Sequence, residues 1–282
     1  MSQDHSRFGQ GATGPELDKL VVNTIKTLTL DAIQKAESGH PGLPLGCADF
    51  AHVLWTQFLH HNPANPNWIN RDRFVLSGGH GSMLLYSLLH LFGYPGMTLE
   101  QIMNFRQWKS LTPGHPEFGL TPGVETTTGP LGQGFANGVG LALAQKYYAA
   151  VFNTSDMKIC QSRVYGIVSD GDLMEGVAAE AASLAGHLGL DNIIYFYDSN
   201  HITIEGDTAL AYSDDVRARF EGYHWNVLDI DGHNHQQIAQ ALAAAGRCHD
   251  KPTLIIGKTV IGAGSPKFQG TQRAHSDAFG ED

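Results

Sequence analysis

Polar residues that suit a divalent cation follow two apolar stretches in the middle of the chain. Asp170 comes just after residues 164–168, and Asn200 comes just after residues 193–197. Both stretches have the β-branched and aromatic composition of buried strands, and the Ala- and Leu-rich segment 177–188 predicts a crossover helix between them. Strands joined in this way run parallel, so their carboxyl ends meet at one edge of the sheet. Open α/β sheets bind ligands at that edge.

A carboxylate and an amide oxygen at one place form a poor nucleophile and a good site for a hard cation. Mg²⁺ takes oxygen ligands and often completes its shell with water and phosphate oxygens. Gly171 leaves space beside Asp170 for a large ligand. Taken alone, however, Asp170 and Gly171 favour a tight turn and Asn200 a helix cap. The remaining motifs of the chain are needed to decide between these interpretations.

Three histidines stand in glycine- and proline-rich segments that connect predicted elements. His40 follows an amphipathic helix predicted from Glu16 to about Ser38. His80 lies in a glycine-rich turn before an apolar helix, where backbone N–H groups can bind an anion. His115 lies within residues 105–132, a long segment with little periodicity, and loops of that length in compact domains are usually functional or disordered. His80 is therefore a candidate hydrogen-bond donor to a bound phosphate group, whereas a plain surface position stays open for His40.

The composition limits the possible functions. The 282 residues are 42% hydrophobic and 16% charged, which is typical of a globular protein. A net charge of −10 argues against nucleic-acid or anionic-membrane partners. Three widely spaced cysteines indicate a reducing compartment, and no signal peptide or membrane-length apolar run is visible. We expect a cytoplasmic protein with no membrane contact and a mobile leader at residues 1–15.

The motifs, in their order and spacing, resemble the amino-terminal half of transketolase, from about Leu17 onward. The interval of roughly thirty residues from Asp170 to Asn200 is similar to the thiamine diphosphate motif. Four further matching segments are residues 38–42, 79–82, 112–116 and 129–134. The chain departs from the family pattern at Gly78, where Asn is usual, at Ser169, where Gly is usual, and at Ser276, where Gly is usual.

The resemblance implies an α/β fold, with a parallel sheet flanked by helices on both faces, that forms a diphosphate-binding domain over residues 16–282. It implies thiamine diphosphate and Mg²⁺ as cofactors, with Ca²⁺ or Mn²⁺ as substitutes. The metal ligands would be the Asp170 carboxylate, the Asn200 amide oxygen and the Ile202 carbonyl. The cofactor-binding residues would be His80, Gly129, Pro130, Leu131, Gly171, Asn200 and His275. Lys258 is added to them because it stands at the end of a predicted strand, where it would face the diphosphate from the sheet edge.

The resemblance also implies the reaction and the residues that take part in it. The activity would be transfer of a two-carbon ketol unit from a ketose phosphate to an aldose phosphate, in the pentose phosphate pathway. His40, His115 and His275 would contact substrate hydroxyls at the reacting centre. Glu175 and Glu180 would belong to a carboxylate network across a dimer interface.

The pyrimidine-binding and C-terminal domains of the family have no counterpart before Asp282. We therefore expect a half that works with a complementary domain or subunit, as a homodimer or heterotetramer, and that has no activity alone. Two alternatives stay open: another thiamine diphosphate enzyme component, of the deoxyxylulose phosphate synthase or 2-oxo acid dehydrogenase type, or a non-catalytic binding module that retains the fold.

Two other patterns are weaker. The segment Gly257-Lys258-Thr259 lacks the upstream glycine and the following helix of a nucleotide-binding P-loop. His233 and His235 have no Cys or carboxylate at zinc-ligand spacing, which favours a polar turn.

Overall fold

The computed structural model describes residues 14–280, and its centre is a parallel sheet of five strands. In chain order the strands are β1 (Arg73–Leu76), β2 (Val164–Ser169), β3 (Ile193–Ser199), the short pair β4 (Ile202–Thr203) and β5 (Gly206–Asp207), β6 (Asn226–Asp231) and β7 (Thr253–Lys258). The sheet order is β1-β2-β3-β7-β6, and every neighbouring pair is parallel. The antiparallel β4–β5 pair stands apart from this sheet. The predicted α/β class with a parallel sheet is confirmed.

Nine α-helices surround the sheet within the described part of the chain. They are α1 (Pro15–Ala36), α2 (Gly42–Val53), α3 (Ser82–Leu91), α4 (Leu99–Met103), α5 (Gln133–Phe152), α6 (Asp170–Met174), α7 (Gly176–His187), α8 (Val216–Gly222) and α9 (His235–Ala245). None of the helices in residues 14–280 has both the length and the hydropathy that a membrane span requires. The predicted leader lies outside the described residues except for its last two.

The helices form two layers, one on each face of the sheet. Helices α1, α2, α3 and α9 share one apolar core with side chains such as Phe74, Phe196 and Ile255. Helices α5, α7 and α8 share the other core with side chains such as Val168 and Tyr195. Because both faces are covered, every residue of β3 is buried. This explains why the strands are apolar throughout and do not alternate.

Helix ends follow local sequence signals. Pro15 occupies the first turn of α1, where its missing N–H has no partner to lose. Helix α2 begins at Gly42, and Pro44 is compatible with its first turn. Its end is a π-helical turn at Leu54–Phe58. Residues 105–132 contain no helix or strand, in agreement with the missing periodicity.

The chain leaves β1 and β2 toward opposite faces of the sheet. After β1 it enters α3, whose side chains belong to the first core. After β2 it enters α6 and then α7, whose Ala178, Ala182 and Ala185 belong to the second core. Neighbouring strands that feed opposite faces open a crevice between their carboxyl ends. The topology therefore places a ligand crevice beside Ser77 and Ser169.

Candidate cofactor and metal site

Asp170 and Asn200 lie at the same edge of the sheet, as their spacing predicts. Strand β2 ends at Ser169 and β3 at Ser199, and the two strands are hydrogen-bonded parallel neighbours with Ser169 paired to Asp198. Both residues line a cavity of about 450 Å³ at this edge. The crossover helix α7 connects the two strands. Because β2 and β3 are parallel, the oxygen donors of Asp170 and Asn200 lie at one cavity.

The turn that carries Asp170 is fixed by a buried carboxylate two residues later. Asp172 accepts hydrogen bonds from Ser169 N (2.9 Å) and Ser169 Oγ (2.9 Å), while Ser169 Oγ accepts one from Asp172 N (3.4 Å), which forms a capping box. Its other oxygen accepts from Ser77 Oγ (2.7 Å) and Gly132 N (2.8 Å). Asp172 therefore ties the end of β1 and the start of α5 to the turn after β2.

Asp170 is buried in the cavity wall and faces a buried tyrosine. Tyr197 donates a short hydrogen bond from its hydroxyl to Asp170 Oδ1. Burial raises the pKa of Asp170 to about 7, and the nearby Asp198 carboxylate contributes in the same direction while the Tyr197 hydrogen bond opposes it. No cationic side chain contributes to this pKa. A divalent ion beside Asp170 would supply the missing positive charge.

Asn200 is held by backbone and side-chain contacts after β3. Its Nδ2 donates to Asp198 Oδ2 (2.9 Å), and its Oδ1 accepts from Ile202 N (2.9 Å). Asp198 is fully buried, and Thr259 Oγ1 donates a short hydrogen bond to it. Burial raises the pKa of Asp198, although these hydrogen bonds oppose the rise. Because a carbonyl oxygen has two lone pairs, Asn200 Oδ1 keeps acceptor capacity for a cation.

Four histidines come together around the same cavity, although they are far apart in the sequence. The ring of His40 lies 5.3 Å from that of His80, 5.7 Å from that of His275 and 6.5 Å from that of His115, between ring centroids. His80 and His275 are stacked at 5.2 Å. His40, His80 and His275 line the cavity. The long loop 105–132 brings His115 to this group.

These histidines are neutral at pH 7. Burial lowers the pKa of His80 to about 3 and that of His40 to about 4, and the neighbouring histidines add to both effects. Burial also lowers the pKa values of His115 and His275. Arg106 Nη2 lies 3.4 Å from His40 Nδ1, while Arg106 Nη1 donates to Ser38 Oγ (2.6 Å). A guanidinium only donates, so neutral His40 carries its proton on Nε2.

Glycines allow the loops around the cavity to approach one another. A Cβ on Gly79 would lie 2.5 Å from Thr128 Oγ1 and 2.7 Å from Gly129 N. Gly129 itself has φ 140° and lies against the His115 ring. A Cβ on Gly171 would lie 2.9 Å from Leu131 Cδ1. The loop that contains Gly129 and Leu131 therefore packs directly on both the histidines and the Asp170 turn.

The structure brings most of the predicted site residues together but not all of them. Gly129, Leu131, Gly171 and Ile202 line the cavity with Asp170 and Asn200, and Pro130 is exposed between its two cavity-lining neighbours. Lys258 is exposed and does not line the cavity. Its strand β7 lies beyond β3, whereas the cavity centres on the ends of β2 and β3. Glu175 and Glu180 are exposed at the start of α7 and do not line it either.

Sequence reasoning missed several residues that shape the site. Asp172 is one of them, although Ser169 with an acidic residue three positions later is the signal of a capping box. The polar ends of the apolar β3 run, Asp198 and Tyr197, carried a weaker signal. A charged residue at the end of a buried strand indicates a paired or ligand-binding group.

The donors present suit Mg²⁺ bound to a diphosphate. Asp170, Asn200 and the Ile202 carbonyl offer oxygen atoms only, as a hard cation prefers. The absence of a Cβ at Gly171 lets Leu131 approach the Asp170 turn, and the half-buried His80 supplies a neutral hydrogen-bond group on the same cavity. The residues of the cavity therefore fit the cofactor pair that the motif implies.

Comparison with known proteins identifies the family. The model of the transketolase thiamine diphosphate-binding domain matches residues 17–282. The chain belongs to this family. Transketolase 2 of Escherichia coli is 56% identical over 265 residues, and the transketolase of Geobacillus stearothermophilus is 55% identical over 265 residues. Each match covers 94% of this chain and 40% of the relative, so the chain spans about 40% of the length of these transketolases.

Solved transketolase structures share the fold. The transketolase of Pichia stipitis in complex with sedoheptulose 7-phosphate superposes with a TM-score of 0.91 at 48% identity, over 93% of this chain and 39% of that one. The Campylobacter jejuni transketolase gives a TM-score of 0.90 at 49% identity, over 95% of this chain and 41% of that one. The chain therefore has the thiamine diphosphate-binding fold of transketolases.

Proposed function

We propose that this domain binds thiamine diphosphate through Mg²⁺ in an enzyme that transfers a two-carbon ketol unit from a ketose phosphate to an aldose phosphate. One observation carries the proposal: neutral histidines and an oxygen-donor set face the same cavity. Relatives at 55–56% identity are transketolases. A structurally similar transketolase binds sedoheptulose 7-phosphate.

The metal ligands in this proposal are the Asp170 carboxylate, the Asn200 amide oxygen and the Ile202 carbonyl. A divalent cation held by these three oxygens would lower the pKa of Asp170 and would supply positive charge for a diphosphate. Ca²⁺ or Mn²⁺ can substitute because both accept oxygen ligands. His80, His275, Gly129 and Leu131 would hold the remainder of the cofactor.

Thiamine diphosphate, when bound, supplies the electron-accepting ring that cleavage of a ketose carbon–carbon bond requires. His40, His115 and His275 bind and orient the sugar hydroxyls. Each neutral imidazole has one donor and one acceptor nitrogen, so it can take a proton from a hydroxyl and return it. Burial lowers the pKa of His40, so the resting form of this ring is the neutral one that can hydrogen-bond to a sugar hydroxyl.

A second domain or subunit completes the site in this proposal. Helices α5 and α7 expose large apolar side chains, which are Leu143, Tyr147, Val151, Phe152 and Leu184. Leu131 is also exposed, at the cavity. Gly132 packs on Glu175, which places that carboxylate beside the cavity loop. Such a face suits a pyrimidine-binding domain in a dimer, with Glu175 and Glu180 at the interface.

We place this activity in the cytoplasm and in the pentose phosphate pathway. The cysteines Cys47, Cys160 and Cys248 are free, as expected of a reducing compartment.

Lys258, which is exposed, is not included among the cofactor ligands of the proposal.

A donor-substrate assay tests the proposal, on the protein together with its pyrimidine-binding domain, thiamine diphosphate and Mg²⁺. Ketose phosphate consumption that depends on an added aldose phosphate is the expected result. His115→Ala should lower turnover by about 100-fold, as for loss of a general acid–base group, whereas the exposed control His187→Gln should not.

Other outcomes would select other functions. Decarboxylation of a 2-oxo acid with no ketose activity would indicate a 2-oxo acid dehydrogenase component. Condensation of a 2-oxo acid with an aldose phosphate would indicate a deoxyxylulose phosphate synthase. Cofactor binding by calorimetry without turnover of any donor would indicate a binding module.

A further inference from the structure

A second cluster of metal-ligand side chains lies along α2, away from the cofactor cavity. One potential ligand atom from each of Asp18, His52 and His235 lies within 4.8 Å of the other two. Asp18 is in the first turn of α1, His52 is near the end of α2 and His235 is the first residue of α9. Three sequence-distant helices therefore bring a carboxylate and two imidazoles together.

The cluster is separate from the cofactor cavity. Helix α2 reaches the cavity through Leu43, and His52 lies nine residues further along the same helix. At 1.5 Å per residue this separation is about 14 Å along the helix axis. A ligand in the cavity cannot account for the convergence of these side chains.

Asp49 holds the two histidines of the β6–α9 turn in different ways. His233 Nε2 accepts a hydrogen bond from Val260 N (3.0 Å), and its Nδ1 lies 3.0 Å from Asp49 Oδ2, so both ring nitrogens are used. His235 Nε2 lies 2.9 Å from Asp49 Oδ1. A carboxylate only accepts, so neutral His235 donates from Nε2 and keeps a lone pair on its other nitrogen. A ring held by a carboxylate on one side is the usual arrangement of a metal-binding histidine.

His52 is buried and can exchange its proton for a cation. Its Nε2 lies 2.8 Å from Asp18 Oδ1, and within the described residues its Nδ1 has no hydrogen-bond partner. No second contact therefore fixes the tautomer of this ring. The side chain of Asp18 is 38% exposed, which gives an ion access from solvent.

We propose that Asp18, His52 and His235 bind a divalent cation of the Zn²⁺ type, with Asp49 orienting His235. Two imidazoles and one carboxylate leave a fourth position for water, which is a common Zn²⁺ coordination. Tetrahedral ligands at about 2.1 Å from the ion are about 3.4 Å apart, so small shifts of the partly exposed Asp18 and His235 side chains would close the site. The nitrogen ligands select against Mg²⁺, which the oxygen-only set at Asp170 prefers.

The bound ion would join the start of α1 to α2 and α9. These helices form one layer over the sheet, and the first turn of α1 is held there by the His52–Asp18 contact. An ion that binds only the folded state raises the free energy of unfolding with the logarithm of its concentration above Kd. The site would therefore act as a structural clamp on the amino-terminal helix.

Zinc binding to the metal-free chain tests the proposal, with millimolar Mg²⁺ present to occupy the oxygen-donor set. The background is Cys160→Ser with Cys248→Ser, because these thiols and His249 line one surface pocket that can also take Zn²⁺. We expect one equivalent of Zn²⁺ and a rise of several degrees in Tm. Asp18→Asn and His235→Gln should each weaken binding by at least about 100-fold, and Asp49→Asn by about 10-fold.

The exposed His187→Gln is the matched control and should bind Zn²⁺ as the background does. Asp18 and His235 are partly exposed, so their variants should fold, as circular dichroism would verify; His52→Gln is added only if it folds. Zinc affinity that is unchanged in both Asp18→Asn and His235→Gln would overturn the proposal. So would the absence of micromolar binding in the background with Cys160→Ser and Cys248→Ser.

Discussion

Two groups of residues face the same cavity and respond to burial in opposite ways. The oxygen group consists of Asp170, Asp198 and Asn200, and the histidine group of His40, His80, His115 and His275. Burial raises the pKa values of Asp170 and Asp198, whereas it lowers those of all four histidines. Both shifts have one cause, since desolvation disfavours the charged form of either side chain.

The difference shows what each group requires from a ligand. No cationic side chain offsets the burial of Asp170, so a bound divalent ion would favour its charged form. The histidine group needs no counter-ion, because its members hydrogen-bond as neutral rings. Asp172 connects the two groups, since it binds Ser77 beside the His80 turn and Ser169 beside Asp170. Removing this connection should therefore affect both groups.

The largest expected effect is that of Asp172→Ala. Its carboxylate accepts hydrogen bonds from Ser169, Ser77 and Gly132 in a fully buried place, so the variant leaves those donors unpaired. We expect a loss of about 3–5 kcal/mol in the free energy of unfolding, measured by urea denaturation. The exposed Asp156→Asn is the control. A loss below about 1 kcal/mol would show that Asp172 does not join the two groups.

The next effect separates the oxygen group from the histidine group. Asp170→Asn keeps the side-chain size but removes the charge that a divalent ion needs. Mg²⁺-dependent binding of thiamine diphosphate should weaken by about 100-fold, or about 2.7 kcal/mol, measured by calorimetry on the protein with its pyrimidine-binding domain. Asp156→Asn should bind normally. Equal affinity of Asp170→Asn and Asp156→Asn for thiamine diphosphate would show that Asp170 is not a metal ligand.

A smaller effect is expected from Gly79→Ala, which disturbs the loop beside the histidine group. The new Cβ would meet Thr128 Oγ1 and Gly129 N, so that loop must move. We expect a loss of about 2 kcal/mol in unfolding free energy, as for an overpacked core. Gly140→Ala in α5 has nothing within 4 Å and should gain about 0.5–1 kcal/mol. Equal stabilities of the two variants would contradict this close packing.

The smallest effect per pH unit is a pH dependence in which His80 and Asp170 act with opposite signs, because burial lowers the pKa of His80 and raises that of Asp170. The pKa of His80 is about 3 in the folded state, so the unfolded chain takes up this proton first as the pH falls below about 6.5. Stability is therefore lost with acid, by at most about 1.4 kcal/mol per pH unit for this group. His80→Gln should remove that slope in denaturation curves between pH 6 and 4. His187→Gln should leave the slope unchanged. If the stability of His80→Gln varied with pH as that of the parent does, the lowered pKa of His80 would be contradicted.

The sequence predicted the elements of the sheet well because burial on both faces leaves a strong signal. Residues 164–168 and 193–197 are continuous apolar runs, and they became β2 and β3 with few changes at their ends. The convergence of Asp170 and Asn200 followed from the parallel crossover alone. Lys258 was predicted at the cavity from its place at a strand end, but position at an edge does not fix which ligand a side chain reaches.

Contacts between distant segments could not be predicted in the same way. The sequence favoured a polar turn for His233 and His235 because no nearby residue completed a zinc pattern. The structure brings Asp49 and Asp18 to that turn from helices about two hundred residues earlier in the chain. Helix packing creates such neighbours without any local spacing rule.

The sequence by itself determined the fold class, the family and the edge of the sheet where the oxygen donors meet, because periodicity and motif spacing are local properties of the chain. Only the tertiary structure decided which side chains lose their water. Desolvation depends on everything packed around a group, so the neutral histidines, the raised pKa of Asp170 and the buried Asp172 connection arise only when all the layers come together.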